Sequence, residues 1–230
     1  EYFYAKLNIL KHQNPGDFAV IHPSLKNKTK NIGKGKKLYF DTLEYQSILK
    51  MPDNLGLRGN HNLQNITAAS LVGKIFKVPK KNILKAVKNF KGLGHRLEFV
   101  AKVNGISFYN DSAATNPDAT LAALKSFKEP LHLILGGSDK GLDYKELAKY
   151  ISKSKNVKTV ALIGQLKNKL NESLKKRHLY HDRDINGTFK IHKVETLRKA
   201  ILTCYKNSDK NEVVLLSPGA ASFGMFRNYA

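Results

Sequence analysis

Past residue 97 the chain alternates short apolar runs with longer stretches whose apolar positions recur at helical spacing. The runs Glu98–Val103, Ile106–Tyr109, Leu131–Leu135, Thr159–Ile163, Phe189–Ile191 and Val213–Leu216 predict strands. Between them, Pro117–Ser126, Tyr144–Ser152, Gln165–Lys176 and Val194–Tyr205 predict amphipathic helices. Continuous apolar strands separated by such helices imply an α/β fold, a mostly parallel sheet with helices on both faces. Ligands of these sheets sit beyond the carboxyl ends of the strands. Asn110, Gly136, Gly164 and Ser217 each follow a strand end, so the chemistry is expected there.

Upstream the pattern is different. Residues 1–12 read as the end of a helix, and Asp17–His22 as a buried strand after the turn signal Asn14-Pro15-Gly16. Lys26–Lys37 predicts a polar loop and Lys37–Phe40 a return strand. From His61 onward Ile66, Ala69, Leu71, Val72, Ile75 and Phe76 form a helical stripe. Pro79 opens a further helix with the stripe Ile83, Leu84, Val87 and Phe90. Lys91-Gly92-Leu93-Gly94 reads as a hinge, which gives two expected domains, 1–93 and 94–230.

Composition narrows the choices. At 230 residues and 41% hydrophobic content the chain can bury a core. No run approaches the ~18 apolar residues of a membrane span. The single cysteine, Cys204, excludes an internal disulfide and a Cys-rich zinc site, and fits a reduced cytoplasm. The histidines show no metal-ligand spacing; His178 and His181 lie beside Arg177 and Arg183 and read as solvated. A net charge of +22 raises nucleic acid as a partner. The lysines, however, are spread along the chain, without an RNA-binding aromatic signature or a helix-turn-helix pattern. The charge reads as a compositional habit, although its field favours substrates with several phosphates or carboxylates.

The groups able to do chemistry cluster in five motifs. Asn110-Asp111-Ser112-Ala113-Ala114-Thr115-Asn116-Pro117 ends a strand and opens a helix, offering free N–H groups and a positive dipole end. Asn116 is the expected helix cap, which leaves Asp111 for a ribose hydroxyl or a cation. Gly136-Gly137-Ser138-Asp139-Lys140-Gly141 lacks the spacing of a phosphate loop, yet Lys140 is placed to receive a carboxylate as a point charge. Ser217-Pro218-Gly219-Ala220-Ala221-Ser222-Phe223 lacks a nucleophile elbow, so Ser222 is expected to bind an anion at a helix start. His61-Asn62-Leu63-Gln64-Asn65 opens a helix with two amides on one face, either caps or contacts to a purine. Gly94-His95-Arg96-Leu97-Glu98 follows the hinge, with Arg96 able to pair with phosphate or stack on a base.

These motifs, in this order and spacing, resemble the Mur ligase family, and within it the members that add D-glutamate in peptidoglycan synthesis. The resemblance covers essentially the whole chain. It implies a Rossmann-like C-terminal domain at 94–230, preceded at 1–93 by the latter part of a central ATP-binding domain. It implies an ATP-dependent acid–amino-acid ligase of the cytoplasm, a monomer with Mg²⁺ that serves cell-wall biogenesis, cell shape and division. Its substrates would be UDP-N-acetylmuramoyl-L-alanine, D-glutamate and ATP, with no nucleic-acid or membrane partner. By position, Asn62, Asn65, Arg96 and Asp111 would hold ATP. Thr115, Lys140, Ser222, Phe223 and Tyr229 would form the D-glutamate pocket, with Lys140 also catalytic. Lys6 would be the carbamylated lysine that supports a metal.

The chain departs from the family at two points. Ala113 stands where the family carries a lysine. No Gly-Lys-Thr/Ser phosphate loop and no UDP-binding domain is present, so the sequence is expected to be an inactive piece of a longer ligase. The alternatives are a ligase resembling folylpolyglutamate synthase and a non-catalytic nucleotide- or nucleic-acid-binding domain.

Overall fold

A computed structural model describes residues 2–40, 57–180 and 189–223, and the chain divides into two compact units between Lys91 and Gly92. In the first unit, helix α1 (Tyr2–Lys11) buries Leu7 and Leu10 against Ala19 and Ile21 of strand β1 (Phe18–Ile21). The segment expected to be a polar loop is helical at its start. A 3₁₀ turn, Pro23–Leu25, runs directly into α2 (Lys26–Thr29). The cause is local: His22 Nδ1 accepts from Ser24 N–H at 3.2 Å, and Thr29 Oγ1 donates to Leu25 O at 2.8 Å. Pro23 presets φ for the first turn. This crossover returns the chain to the start of β1. Strand β2 (Lys36–Tyr39) therefore pairs parallel to β1, with Phe18 opposite Lys36 and Ile21 opposite Tyr39, instead of running back along it.

Helices α3 (Asn60–Ile75) and α4 (Lys80–Asn89) cover the other face, where Leu71 and Phe40 pack with Val20, Leu38, Ile83 and Leu84. The expected stripe of α3 is rotated. Ile66, Thr67, Ser70 and Leu71 are buried, whereas Ala69, Val72 and Phe76 are exposed. Thr67 tolerates this because its hydroxyl donates to Leu63 O at 2.9 Å, within its own helix. On α4, Ile83, Leu84 and Val87 are only half-buried and Phe90 is exposed.

The second unit is a six-stranded sheet in the order β3-β4-β8-β5-β6-β7. Its strands are β3 (Glu98–Val103), β4 (Ile106–Asn110), β5 (Leu131–Gly136), β6 (Val157–Ile163), β7 (Lys190–Lys193) and β8 (Val213–Leu216). β3 and β4 form an antiparallel hairpin, and the remaining neighbours are parallel. Asn104 and Gly105, with φ of 51° and 85°, make the two-residue turn that this hairpin needs.

Helices α5 (Pro117–Leu124), α6 (Lys145–Lys153) and α7 (Lys167–Tyr180) cover one face of the sheet. Helix α8 (Leu197–Lys206) covers the other. Alternation along the strands serves both faces. Leu131, Leu133 and Leu135 meet α5–α7, whereas Ile134, Ala161 and Val214 meet α8. Burying each such leucine contributes on the order of 1.5–3 kcal/mol. The α/β class and the mostly parallel sheet are as the apolar runs require.

β8 slots between β4 and β5, reached by the connection through α8 on the opposite face. That insertion sets the carboxyl ends of β4, β8 and β5 side by side. On the α8 face, the fully buried Cys204 thiol is pushed up from its ordinary value near 9.0 to about 12, chiefly by loss of hydration. Cys204 should therefore resist maleimide in the native protein and react only on unfolding. Because its folded pKa is the higher one, the stability that this thiol contributes is fully present below pH 9 and is lost as pH rises toward 12. Urea midpoints across that range should drop, and Cys204→Ala should reduce the slope.

Candidate functional site at the carboxyl ends of β4, β8 and β5

The loops that leave these strands are stitched together by main-chain hydrogen bonds. Asp111 N–H donates to Leu216 O at 2.7 Å, and Gly219 N–H to Ala114 O at 2.8 Å. Gly136 N–H donates to Pro218 O at 2.9 Å, and Ser138 N–H to Ala221 O at 2.8 Å. Leu166 N–H, donating to Gly137 O at 3.1 Å, extends the set to the loop after β6. Two glycines permit this approach. Gly136 and Gly137 hold φ of 125° and 151°, and a Cβ on them would lie 2.1 Å from Ile163 O and 2.4 Å from Ala221 O.

Asp111 sits at the centre, 7% exposed. Its Oδ1 accepts from Leu97 N–H at 3.2 Å and its Oδ2 from the buried Ser217 hydroxyl at 2.7 Å. Thr120 Oγ1 lies 3.1 Å from that hydroxyl and donates to Ser217 O at 3.2 Å. As expected, Asn116 and not Asp111 caps α5, its Oδ1 accepting from Ala119 N–H at 2.9 Å. Asp111 thus joins the loop before β3 to the ends of β4 and β8.

The loop that carries Arg96 is held on both sides. His95 N–H donates to Glu98 Oε2 at 2.8 Å, and His95 O accepts from Ala113 N–H at 3.0 Å. Asn110 Oδ1 accepts from Ser112 N–H, which orients its amide so that Nδ2 donates to His95 Nδ1 at 2.9 Å. The Arg96 side chain is exposed and has no hydrogen-bond or ion-pair partner among the described residues.

Lys140 leaves the loop after β5 exposed, with Nζ 4.7 Å from the centroid of the Phe223 ring. Beside it, Asp139 is already engaged: Lys169 Nζ lies 3.0 Å from Oδ2 and Gly141 N–H donates to Oδ1 at 2.9 Å. Lys169, then the Gly141 N–H, hold its carboxyl below the usual carboxylate range. Tyr144 supports the loop after β8 from beneath, donating to Gly219 O at 3.1 Å. Burial, and secondarily the Asp139 charge, push its phenol from 10.0 to about 12. Thr115 is exposed on the loop tied to Gly219, and Ser222 is half-buried next to Phe223.

Thr115, Lys140, Ser222 and Phe223 are therefore carried by loops bonded to one another, and Tyr229 lies outside the described residues. Asn62, Asn65 and Lys6 belong to the first unit. Asn62 does not cap α3, since Gly59 holds that position; its amide donates back to Arg58 O at 2.7 Å. Asn65 is exposed. Lys6 is exposed on α1 with its ammonium 5.3 Å from the Tyr2 ring centroid. Among the described residues no group of three His, Cys, Asp or Glu could hold a metal. These residues do not make a Mg²⁺ site by themselves. No helix among them is long and apolar enough to cross a membrane.

Sequence reasoning missed Ser138, Thr120 and Ser217 as supports, and Gln165 and Lys169 as partners of Asp139. Nothing local marks them, because Ser217 meets Asp111 across 106 residues of chain.

The sequence profile described as "Mur ligase, glutamate ligase domain" matches residues 95–219. The UDP-N-acetylmuramoylalanine–D-glutamate ligase of Caldanaerobacter subterraneus subsp. tengcongensis is 37% identical over 211 residues, 92% of this chain and 45% of that protein. The enzyme of the same name from Bacillus cereus is 35% identical over 246 residues, 100% of this chain and 52% of its own length. The chain thus spans about half the length of these relatives. Among solved structures, MurF of Acinetobacter baumannii superposes with a TM-score of 0.62 at 15% identity, covering 94% of this chain and 52% of that one. Mycobacterium tuberculosis folylpolyglutamate synthase gives 0.61 at 15% identity, covering 94% and 56%. At such identities these likenesses establish the fold alone.

The Ser217 hydroxyl donates to a buried carboxylate, a bond worth about 1.5–3 kcal/mol. Ser217→Ala should lower unfolding stability by that amount in urea titrations. A change of less than about 0.5 kcal/mol would mean that Asp111 is held by its other partners.

Proposed function

The chain belongs to the Mur ligase family, and we propose that it contributes the D-glutamate-binding half of a UDP-N-acetylmuramoyl-L-alanine:D-glutamate ligase. In this reading residues 94–230 are the C-terminal domain and residues 1–93 the latter part of the central ATP-binding domain. The observation that carries it is the set of bonded loops bearing Lys140, Ser222, Phe223 and Thr115. They lie at the strand ends where α/β sheets bind ligands, in a chain whose relatives are named for D-glutamate addition.

The reaction joins a carboxylate to an amine. The γ-phosphoryl group of ATP passes to the carboxylate of UDP-N-acetylmuramoyl-L-alanine, leaving ADP and an acyl phosphate. The D-glutamate amine attacks the acyl carbon, phosphate departs with the C–O bond, and the amine loses a proton. This chain's own part is positioning and charge neutralisation. Lys140 is the cation that receives the D-glutamate carboxylates, with Thr115 and Ser222 as hydroxyl partners. For the adenine nucleotide the second unit offers Arg96, whose guanidinium has no partner among the described residues, and Asp111; the first unit offers Asn62 and Asn65. Mg²⁺, when bound, offsets phosphate charge. The proposed setting is a cytoplasmic monomer acting on small molecules in cell-wall synthesis, and so in cell shape and division.

The protein expressed from the whole gene should release phosphate only when ATP, UDP-N-acetylmuramoyl-L-alanine and D-glutamate are all supplied. Equal activity with L-glutamate, or none that depends on D-glutamate, would sink the assignment. Lys140→Ala should raise the KM for D-glutamate at least tenfold, as the loss of a charge-assisted contact does, while moving that for ATP much less. Steady-state kinetics with each substrate varied in turn would check this.

A further inference from the structure

We propose that the ring of Phe223 positions Lys140, holding its ammonium over the ring face before substrate arrives. The proposal rests on the reading of Lys140 as the cation for the D-glutamate carboxylates and adds what keeps that cation in place. Nζ lies 4.7 Å from the ring centroid, within the range at which the ring quadrupole attracts a cation. The adjacent carboxylate does not compete, because Asp139 is paired with Lys169 at 3.0 Å and with the Gly141 N–H.

Both partners of the contact are set by one residue. Ser138, two positions before Lys140, donates its N–H to Ala221 O at 2.8 Å and its hydroxyl to the carbonyl of Phe223 itself. The same loop is tied to the segment before α7 by Asp139 N–H, which donates to Gln165 Oε1 at 3.3 Å. Main chain and a buried serine thus fix where the ring and the lysine start, although both residues are exposed, Phe223 by 67%.

The consequence is chemical. An exposed lysine has many rotamers, and a carboxylate that binds it must first immobilise it. Resting on the ring, the ammonium keeps donors on its outer side for a carboxylate and loses less freedom on binding. A contact of this kind shifts an equilibrium constant by about two- to fivefold. Leucine at position 223 would supply bulk without the quadrupole; tryptophan would supply a stronger one.

The test uses the protein from the whole gene with ¹³C at the lysine Cε positions. One lysine Cε–Hε cross-peak should be displaced upfield by the ring current, vanish in Lys140→Arg and return to the ordinary lysine position in Phe223→Leu. It should remain displaced in Phe223→Trp. The KM for D-glutamate should rise about two- to fivefold in Phe223→Leu and stay near the wild-type value in Phe223→Trp, with kcat moving less than KM. An undisplaced Lys140 cross-peak in the wild-type protein overturns the contact. A displaced peak with the same KM in both variants overturns the positioning role. A displaced peak in a protein indifferent to D-glutamate would remove the substrate reading, and the role with it, while leaving the contact itself demonstrated.

Discussion

The site depends on the hydrogen bonds that run from loop to loop across the carboxyl ends of β4, β8 and β5. Each bond contributes only about 0.5–1.5 kcal/mol net, yet together they decide where four otherwise independent loops go. They are main-chain bonds, so apart from Gly136 and Gly137 they place few demands on the side chains the loops carry. That leaves the side chains of Thr115, Lys140, Ser222 and Phe223 out of the bonds that place the loops. The set forms only because β8 is inserted between β4 and β5 and because Gly136 and Gly137 let backbone meet backbone where a Cβ would sit 2.1 Å and 2.4 Å from a carbonyl oxygen.

Asp111 does for the polar interior what this set does for the loops. A carboxylate 7% exposed carries a desolvation cost of several kcal/mol unless donors replace its water. Leu97 N–H and the Ser217 hydroxyl do so, and in turn the carboxylate fixes two segments far apart in sequence. The residue that motif spacing marks as a ligand contact is therefore also a structural tie. In the proposed nucleotide contact, a carboxylate already oriented by protein donors would meet a ligand hydroxyl at little reorganisation cost.

What was legible in the sequence follows from what is local. Leu131–Gly136 is apolar but for His132, whose Nε2 meets Glu212 Oε2 at 2.8 Å, because a central parallel strand is buried on both faces, and every residue of it is buried. Asn116-Pro117 announced the start of α5 by cap chemistry alone. The direction of β2 was not legible, because it depends on whether the segment after His22 coils into helical turns, and those rest on Pro23 and the His22–Ser24 and Thr29–Leu25 hydrogen bonds, which no periodicity reports. The buried face of α3 was misplaced because Thr67 and Ser70 sit in the core, which a stripe counted from apolar residues cannot contain. Ser138 reaches Phe223 across 85 residues, and no periodicity reports a contact made that way. Candidate ligand residues were visible; the residues that aim them were not.

Ala113 gives this arrangement its sharpest consequence. Where the resemblance to the family would place a lysine, this chain carries a methyl group, and the backbone N–H of Ala113 is bonded to His95 O. The cations left at the site without an ion-pair partner among the described residues are Lys140 and Arg96. Arg96 is flanked by His95 at φ 62° and Leu97 at φ 47°, a left-handed conformation that costs non-glycine residues about 1–2 kcal/mol each. Such a loop persists only if its surroundings over-determine it. Glu98 holds His95 N–H, Asp111 holds Leu97 N–H, Asn110 holds the imidazole, and Ala113 holds the carbonyl. Four contacts, three on His95 and one on Leu97, offset the strain. Strained backbone on both sides of Arg96 thus serves to fix where that guanidinium leaves the main chain.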